Sequence, residues 1–267
     1  MQQEVLIIGA GWLGKDLAVK LAISGHSVIA VSRNAKTCQE LESIAIKTLE
    51  LHIDSKEKID ALPKSSIAII LLPPSSVRET SFSTYSELIH QICTKLPERG
   101  INYLIQVSST GIYPAQTGYY TEESETGTGL RAAELKSAEK EVLSSGIKAA
   151  VIRAGGLCGT DRHPAIWNSQ PSAMNASDAV NMIWKDDLIG IILHLISNLC
   201  EGIYNAVAPE HPDRREFYNY CYKQLNKPMP SFTTETESVK RIILSNKIVN
   251  SGFNFGFPDP CKFPVLY

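Results

Sequence analysis

Apolar and polar positions along this chain fall into alternating blocks, short unbroken apolar runs followed by stretches with helical spacing. Val5 to Ile8 is a run of four apolar residues suited to a buried parallel strand. An amphipathic segment follows, with Leu13, Leu17 and Leu21 on one face and Gly25 as its stop, and then a second strand at Ser27 to Val31. A helix is expected around Thr37 to Ile44, a strand near Lys47 to Leu51, and another helical segment at Ser55 to Ala61. The run Ile67 to Leu72 reads as a fully buried strand that Pro73 and Pro74 end sharply. Phe82, Tyr85, Ile89, Ile92 and Leu96 lie at helical spacing up to Pro97, as core or as a dimer interface. A strand over Ile101 to Val107 runs into the loop SSTGIYP, and a polar loop from Ala115 to Gly129 precedes a helix with Leu135, Ala138 and Val142 on its buried face, ending at Gly146. The strand Lys148 to Gly156 closes a second set of β-α-β units. Such alternation predicts an α/β chain with a doubly wound, mostly parallel sheet.

Beyond Gly156 the pattern changes. Gly159 to Pro164 is turn-rich, Ile166 to Ala179 has no clean period, and a helix over Asp186 to Leu199 with a strand over Gly202 to Val207 returns to the sheet. A helix from about Asp213 to Asn226 and a Pro-interrupted tail complete the chain. The organisation expected is a dinucleotide-binding domain over 1–156 and a mixed segment over 157–267. Within that segment, 181–208 rejoins the sheet while 157–180 and 209–267 form a small C-terminal substrate lobe.

The first turn carries candidate chemistry. Gly9, Gly11 and Gly14 have the Gly-x-Gly-x-x-Gly spacing between a strand and the helix that begins at Trp12 and Leu13. Gly9 allows the tight turn, Gly11 lets a pyrophosphate approach the backbone, and Gly14 lets the helix lie close on the sheet. The helix N-terminus then offers unpaired N–H groups to the phosphates. An NAD site normally has an acidic residue about 20 residues further on, where this chain has Ser32 and Arg33. A carboxylate would repel a 2′-phosphate, whereas a guanidinium can hold it with paired, charge-assisted bonds. The expected cofactor is therefore NADP over NAD, unless Arg33 is only a solvated loop residue. Asp54 either accepts from the adenine's exocyclic amine or serves as a turn or helix cap. Leu72 and Pro73 start the loop expected to cover the cofactor.

Composition narrows the partners. A formal charge of −2 and a pI near 6.3 give no electrostatic reason to expect nucleic acid or an anionic membrane surface. No apolar run approaches the length of a membrane span, and the glycine turn, with Lys15 and Asp16, occupies the place of a signal peptide. Six cysteines without a Cys-x-x-Cys pair or clustered histidines read as reduced thiols, and a cytoplasmic protein with no metal is the expectation.

Separated segments also resemble one family, the extended short-chain dehydrogenases/reductases of the NAD-dependent epimerase/dehydratase type. They are GAGWLG, SSTGIYP, RAGGLCG, NMIWKDDL, EGIYNAVAPE and SNKIVNSGFNFGFPDP, which together span nearly the whole chain in order. The resemblance implies a seven-stranded, mostly parallel Rossmann sheet with a small C-terminal lobe for a small-molecule substrate. It implies that Ser109 is the catalytic hydroxyl, that Gly155 and Gly156 line the nicotinamide, and that Asp187 fixes the return helix beside the site. It also suggests a homodimer formed through the helices of Phe82 to Leu96 and Leu135 to Val142. The alternative for Ser109 is a satisfied strand-end hydroxyl, and for the two stripes, packing on their own sheet.

One departure bears on function. The family's catalytic pair is Tyr-x-x-x-Lys, and none of the ten tyrosines here has lysine four residues later. Aligning SAEKEV with the family's helix puts Arg131 at the tyrosine position and Leu135 at the lysine position, with Lys136 about 100° away around the helix. This resembles the family's atypical branch. Tyr119 and Tyr120 are the nearest alternative proton donors in sequence, although both rings could simply pack their loop. Two functions remain: an NADP(H)-dependent oxidoreductase or epimerase-like enzyme for a small carbonyl or sugar-type substrate, or a non-catalytic NADP(H) sensor acting through a partner.

Overall fold

The computed structural model describes residues 3–167, 175–232 and 238–264. The chain opens with β1 (Glu4–Ile8), α1 (Trp12–Ile23), β2 (Ser27–Ser32), α2 (Ala35–Glu42), β3 (Lys47–Glu50), α3 (Lys56–Ile59) and β4 (Ile67–Ile70). The apolar runs of β1 and β4 are fully buried, as expected for strands covered on both faces. Val5 pairs with Val28 on one side and Ile67 on the other, both in parallel. Next come α4 (Tyr85–Lys95), β5 (Tyr103–Ser109), β6 (Gly118–Tyr120), α5 (Leu130–Leu143), β7 (Lys148–Ala154) and β8 (Gly156–Cys158). The chain continues with α6 (Pro164–Trp167), β9 (Met182–Trp184), α7 (Lys185–Asn198), β10 (Gly202–Ala206), α8 (Arg214–Gln224), β11 (Arg241–Ile243) and α9 (Asn246–Asn250).

The central sheet has seven strands in the order β10-β7-β5-β4-β1-β2-β3. From β1 the chain builds outward to β2 and β3, then crosses back to β4 on β1's other side. This reversal puts the topological switch point beside the carboxyl end of β1, where open α/β sheets hold their ligands. Helix starts follow local capping chemistry. Asn34 accepts from the Thr37 N–H at 3.2 Å to start α2, and Thr84 accepts from the Glu87 N–H at 3.1 Å to start α4. That cap explains why α4 begins at Tyr85 although the apolar spacing begins at Phe82. Phe82, Tyr85, Ile89, Ile92 and Leu96 are all buried within the chain, as are Leu135, Ala138 and Val142. Both stripes serve the chain's own core.

Two compact units emerge. The first comprises Met1–Ile112, Thr128–Ile152 and Ile192–Ile203, and the second Tyr113–Gly127, Arg153–Ile191 and Tyr204–Tyr267. By this division residues 113–127 and 204–208 go with the second unit. In that unit β6 pairs with β11 and β8 with β9, each pair parallel and three residues long. Trp184, Phe217, Tyr218, Cys221 and Phe263 fill its core, and Asp213 caps α8 by accepting from the Glu216 N–H at 2.8 Å. The single strand expected over Lys148 to Gly156 is interrupted at Gly155. There the backbone leaves Ala206, whose carbonyl accepts from the Gly155 N–H, for Asn181, whose carbonyl accepts from the Gly156 N–H. Of the aperiodic stretch Ile166 to Ala179, residues 168–174 lie outside the described residues, as do 233–237 and 265–267 of the tail. Among the described residues no helix is long and apolar enough to cross a membrane.

Candidate functional site

Three glycines after β1 each answer to a different physical constraint. Gly9 has φ +98°, and a Cβ there would lie 2.9 Å from Leu72 Cδ2 and 3.3 Å from the Leu71 carbonyl carbon. Its N–H and that of Ala10 both donate to the Val31 carbonyl, at 3.1 and 2.7 Å, which turns the chain at the end of the strand. A Cβ at Gly14 would meet Leu71 Cδ1 at 3.0 Å and the Gly9 carbonyl oxygen at 3.1 Å, so α1 lies against the strand. Around Gly11 nothing lies within 4 Å of that position. Open space therefore fronts the backbone where α1 begins. No side chain caps α1 and its first turn, with half-buried Trp12 and buried Leu13, holds no acid. Its leading N–H groups and positive dipole end suit an anionic group. These features fit the pyrophosphate of a dinucleotide, with Gly9, Gly11, Trp12, Leu13 and Gly14 as the residues that would hold it.

The other expected cofactor residues of the first unit lie at or beyond the carboxyl ends of β2, β3 and β4. Ser32 ends β2, buried, and its hydroxyl accepts from the Asn34 N–H at 3.2 Å. Arg33 follows it, exposed. Asp54 is half-buried; its carboxylate lies 3.7 Å from His52 Nδ1, and its carbonyl accepts from the N–H and hydroxyl of Ser81. The cap position of α3 belongs to Ser55, so Asp54 is not a helix cap. Leu72 lies just past β4 with its side chain against Gly9, and exposed Pro73 leads into a 3-10 turn over Pro74–Glu79. The Leu72 carbonyl accepts from the buried Tyr85 hydroxyl at 2.8 Å, which ties this loop to α4. Burial raises the Tyr85 pKa, so the phenol stays protonated and acts as a fixed donor.

At the end of β5, Ser109 is half-buried and its hydroxyl accepts from the Gly111 N–H at 3.1 Å. A Cβ on Gly111 would lie 3.3 Å from Ser109 Oγ and 3.5 Å from Arg131 Nε. The two side chains thus flank one small space above the glycine. Arg131, on the first turn of α5, is exposed, and among the described residues no carboxylate pairs with it. Leu135, one turn on, is buried. Another turn on, buried Glu139 accepts from the Ser108 hydroxyl at 2.6 Å. In the sequence Arg131 stands out only as a replacement for tyrosine, and Glu139 carries no signal because one acid among several in an amphipathic helix reads as solvated.

The second unit holds the remaining candidates. A Cβ on Gly155 would lie 2.7 Å from the Asn181 carbonyl oxygen, so the strand break depends on that glycine, while one on Gly156 would clash with the flexible side chain of Met182. Tyr113 is buried; its hydroxyl donates to Asn205 Oδ1 at 2.7 Å and accepts from Arg153 Nη1 at 2.9 Å. Glu122 joins the same network, its Oε1 accepting from the Asn205 N–H at 2.7 Å. Burial raises the Tyr113 pKa, and the Arg153 guanidinium opposes that rise. Tyr119 and Tyr120 sit on β6. Tyr119 is 75 % exposed, while Tyr120 donates to the Gln116 carbonyl at 3.2 Å and its ring lies 5.5 Å from that of Tyr113. Asp187 accepts from the Gly256 N–H at 2.7 Å and the Phe257 N–H at 2.9 Å, pinning the tail to α7. Its pKa is raised by burial, against the lowering effect of those two bonds.

A model of the NAD(P)H-binding family matches residues 9–181. The chain belongs to that family. It is similar to Protein YeeZ of Escherichia coli (strain K12), at 27 % identity over 98 % of this chain and 99 % of that protein. Solved structures of similar fold include MoeE5 in complex with UDP-glucose and NAD, with a TM-score of 0.77, 16 % identity and coverage of 97 % and 96 % of the two chains. Another is dTDP-glucose 4,6-dehydratase from Bacillus anthracis str. Ames in complex with NAD, with a TM-score of 0.76, 14 % identity and coverage of 97 % and 94 %. The fold is thus that of NAD(P)-binding proteins of the epimerase/dehydratase type.

Proposed function

We propose that this chain is an NADP(H)-dependent oxidoreductase or epimerase-like enzyme for a small carbonyl or sugar-type substrate, working without the Tyr-x-x-x-Lys pair. The observation that carries the reading is the convergence of Ser109 Oγ and Arg131 Nε on the space above Gly111. A nicotinamide dinucleotide supplies a donor or acceptor of hydride when bound. Ser109 then donates a hydrogen bond to the substrate oxygen on which charge develops. Arg131 offers its guanidinium N–H donors to the same charge. The proton donor in this reading is Tyr119 or Tyr120.

Gly9, Gly11, Trp12, Leu13 and Gly14 take the pyrophosphate, Asp54 the adenine, and Leu72 and Pro73 the cover over the cofactor. Ser32 and Arg33 take the 2′-phosphate, which favours NADP over NAD; the guanidinium of Arg33, in the place where an NAD site has an acid, supports this. Gly155 and Gly156 are assigned to the nicotinamide, and the second unit to the substrate. The UDP-glucose bound to MoeE5 supports a sugar-nucleotide substrate class. A homodimer through α4 and α5 belongs to the same reading, as the resemblance implies it; the apolar stripes of the two helices are buried in the chain itself and do not support it. Light scattering that finds only monomer at micromolar concentration rejects it.

The test of the activity is NADPH oxidation over a panel of sugar nucleotides, aldehydes and ketones, repeated with Ser109→Ala, Tyr119→Phe and Tyr120→Phe. Turnover that falls with Ser109→Ala and with one tyrosine variant is expected. Turnover untouched by all three contradicts the site. NADPH binding without turnover on any substrate favours the sensor, a reading that buried Leu135 in the lysine's place already supports.

A further inference from the structure

Resting on the assignment of Leu72 and Pro73 to the cofactor, we infer that Tyr85 is a positioning residue for nucleotide binding, whose phenol holds the Leu72 carbonyl and so sets the exit of β4 against the glycine turn. Tyr85 itself touches no part of the nucleotide in this account; it acts through Leu72.

The need for a tether arises where β4 ends. The Leu71 N–H donates to the Ile8 carbonyl at 2.9 Å, and Pro73, two residues on, has no N–H with which to continue the ladder. Beyond that point a side chain takes over. Tyr85, only 1 % exposed, donates from its hydroxyl to the Leu72 carbonyl at 2.8 Å. Its backbone is fixed as well, since the Tyr85 N–H, which the first position of a helix leaves over, donates to Glu134 Oε2 on α5 at 3.3 Å. The phenol therefore reaches the loop from a base that α5 holds in place.

The Gln106 amide leaves the phenol proton to Leu72. A carbonyl only accepts, so the phenol donates to Leu72, and the Gln106 group 3.2 Å from the phenol oxygen is the amide nitrogen, which donates to it. The reverse orientation of that amide would present Oε1, compete for the single phenol proton and free the Leu72 carbonyl. The orientation found leaves Gln106 Oε1 buried without a partner among the described residues. Leucine and phenylalanine could fill the two places without an orphaned acceptor, so packing alone gives no reason for a polar pair.

What the tether fixes is a contact with the turn. A Cβ on Gly9 would lie 2.9 Å from Leu72 Cδ2, and one on Gly14 3.0 Å from Leu71 Cδ1, so the end of β4 lies close on the turn that takes the pyrophosphate. A Leu72 released from Tyr85 is free to shift over that turn.

The experiment pairs calorimetry of NADPH with urea unfolding for the unmutated chain, Tyr85→Phe, Gln106→Leu and the double variant. Tyr85→Phe keeps the ring, removes the tether and orphans the Gln106 amide; it should weaken NADPH binding by about three- to tenfold and lower the urea midpoint. Gln106→Leu offers the phenol no acceptor besides Leu72 and should bind NADPH as the unmutated chain does. The double variant removes the orphaned amide, so its midpoint should recover while its affinity stays as low as that of Tyr85→Phe. A merely structural tyrosine predicts that affinity recovers with the midpoint, and that result overturns the inference. So do unchanged affinity in Tyr85→Phe and an equal loss in Gln106→Leu, where the tether survives. No binding of NADPH by the unmutated chain overturns the parent reading and this inference with it, a result distinct from binding that Tyr85→Phe leaves intact.

Discussion

Ser108 donates a 2.6 Å hydrogen bond to Glu139, a carboxylate only 3 % exposed in the interior of the first unit. A buried carboxylate deprived of a donor is costly, and hydrogen bonds to charged groups contribute about 1.5–3 kcal/mol. Ser108→Ala should therefore destabilise the chain by about that amount, read as a lower urea midpoint with an unchanged slope. Glu139→Gln should cost less, since the amide oxygen can still accept. An unchanged midpoint in Ser108→Ala would mean that other donors hold Glu139 unaided.

The glycines separate stability from binding. Around Gly11 a new methyl meets nothing within 4 Å, so Gly11→Ala should change the urea midpoint little and yet weaken dinucleotide binding, by standing where the pyrophosphate approaches. Gly14→Ala forces a methyl to 3.0 Å from Leu71 Cδ1 and 3.1 Å from the Gly9 oxygen, and Gly155→Ala forces one to 2.7 Å from the Asn181 oxygen. Overpacking of this kind costs about 1–3 kcal/mol. Both variants should unfold at lower urea than Gly11→Ala. The reverse order would contradict this account of the glycines.

Acid should weaken the second unit through His163. This ring is fully buried, its Nε2 has no partner among the described residues, and burial together with the nearby Lys227 charge pushes its pKa from 6.5 down to about 4. The unfolded chain binds the proton first as pH falls, so the stability is complete above 6.5 and is lost on acidification toward about 4. The loss amounts to at most about 3 kcal/mol. Burial lowers the His211 pKa in the same sense, whereas Asp187, whose pKa burial raises, acts in the opposite direction. Urea unfolding across this window should show a shallower acid loss in His163→Gln than in the unmutated chain. Parallel pH profiles would contradict the assignment.

Long apolar runs and the glycine spacing were legible in the sequence because each has a local cause. Ile67 to Ile70 cannot sit at a surface, and Gly9 to Gly14 accommodates contacts made within one turn of chain. The pairs β6–β11 and β8–β9 were not legible: three residues carry no period, and each partner is remote in sequence. The break at Gly155 was hidden for the same reason, since it depends on the approach of Asn181. Ser109 was found through its family motif. Its relation to Arg131 was not, because residues 22 positions apart meet only once α5 lies beside the end of β5. The network of buried Tyr113, Arg153 and Asn205 with half-buried Glu122 likewise joins groups that sequence reading takes for loop and strand residues.

The central claim, a dinucleotide site that prefers NADP(H), is tested most directly by calorimetry of NADPH and NADH on the unmutated chain and on Arg33→Ala. The account predicts tighter binding of NADPH by about ten- to hundredfold, with most of the difference gone in Arg33→Ala. Equal affinity for the two nucleotides in the unmutated chain, or a preference for NADH, would contradict it.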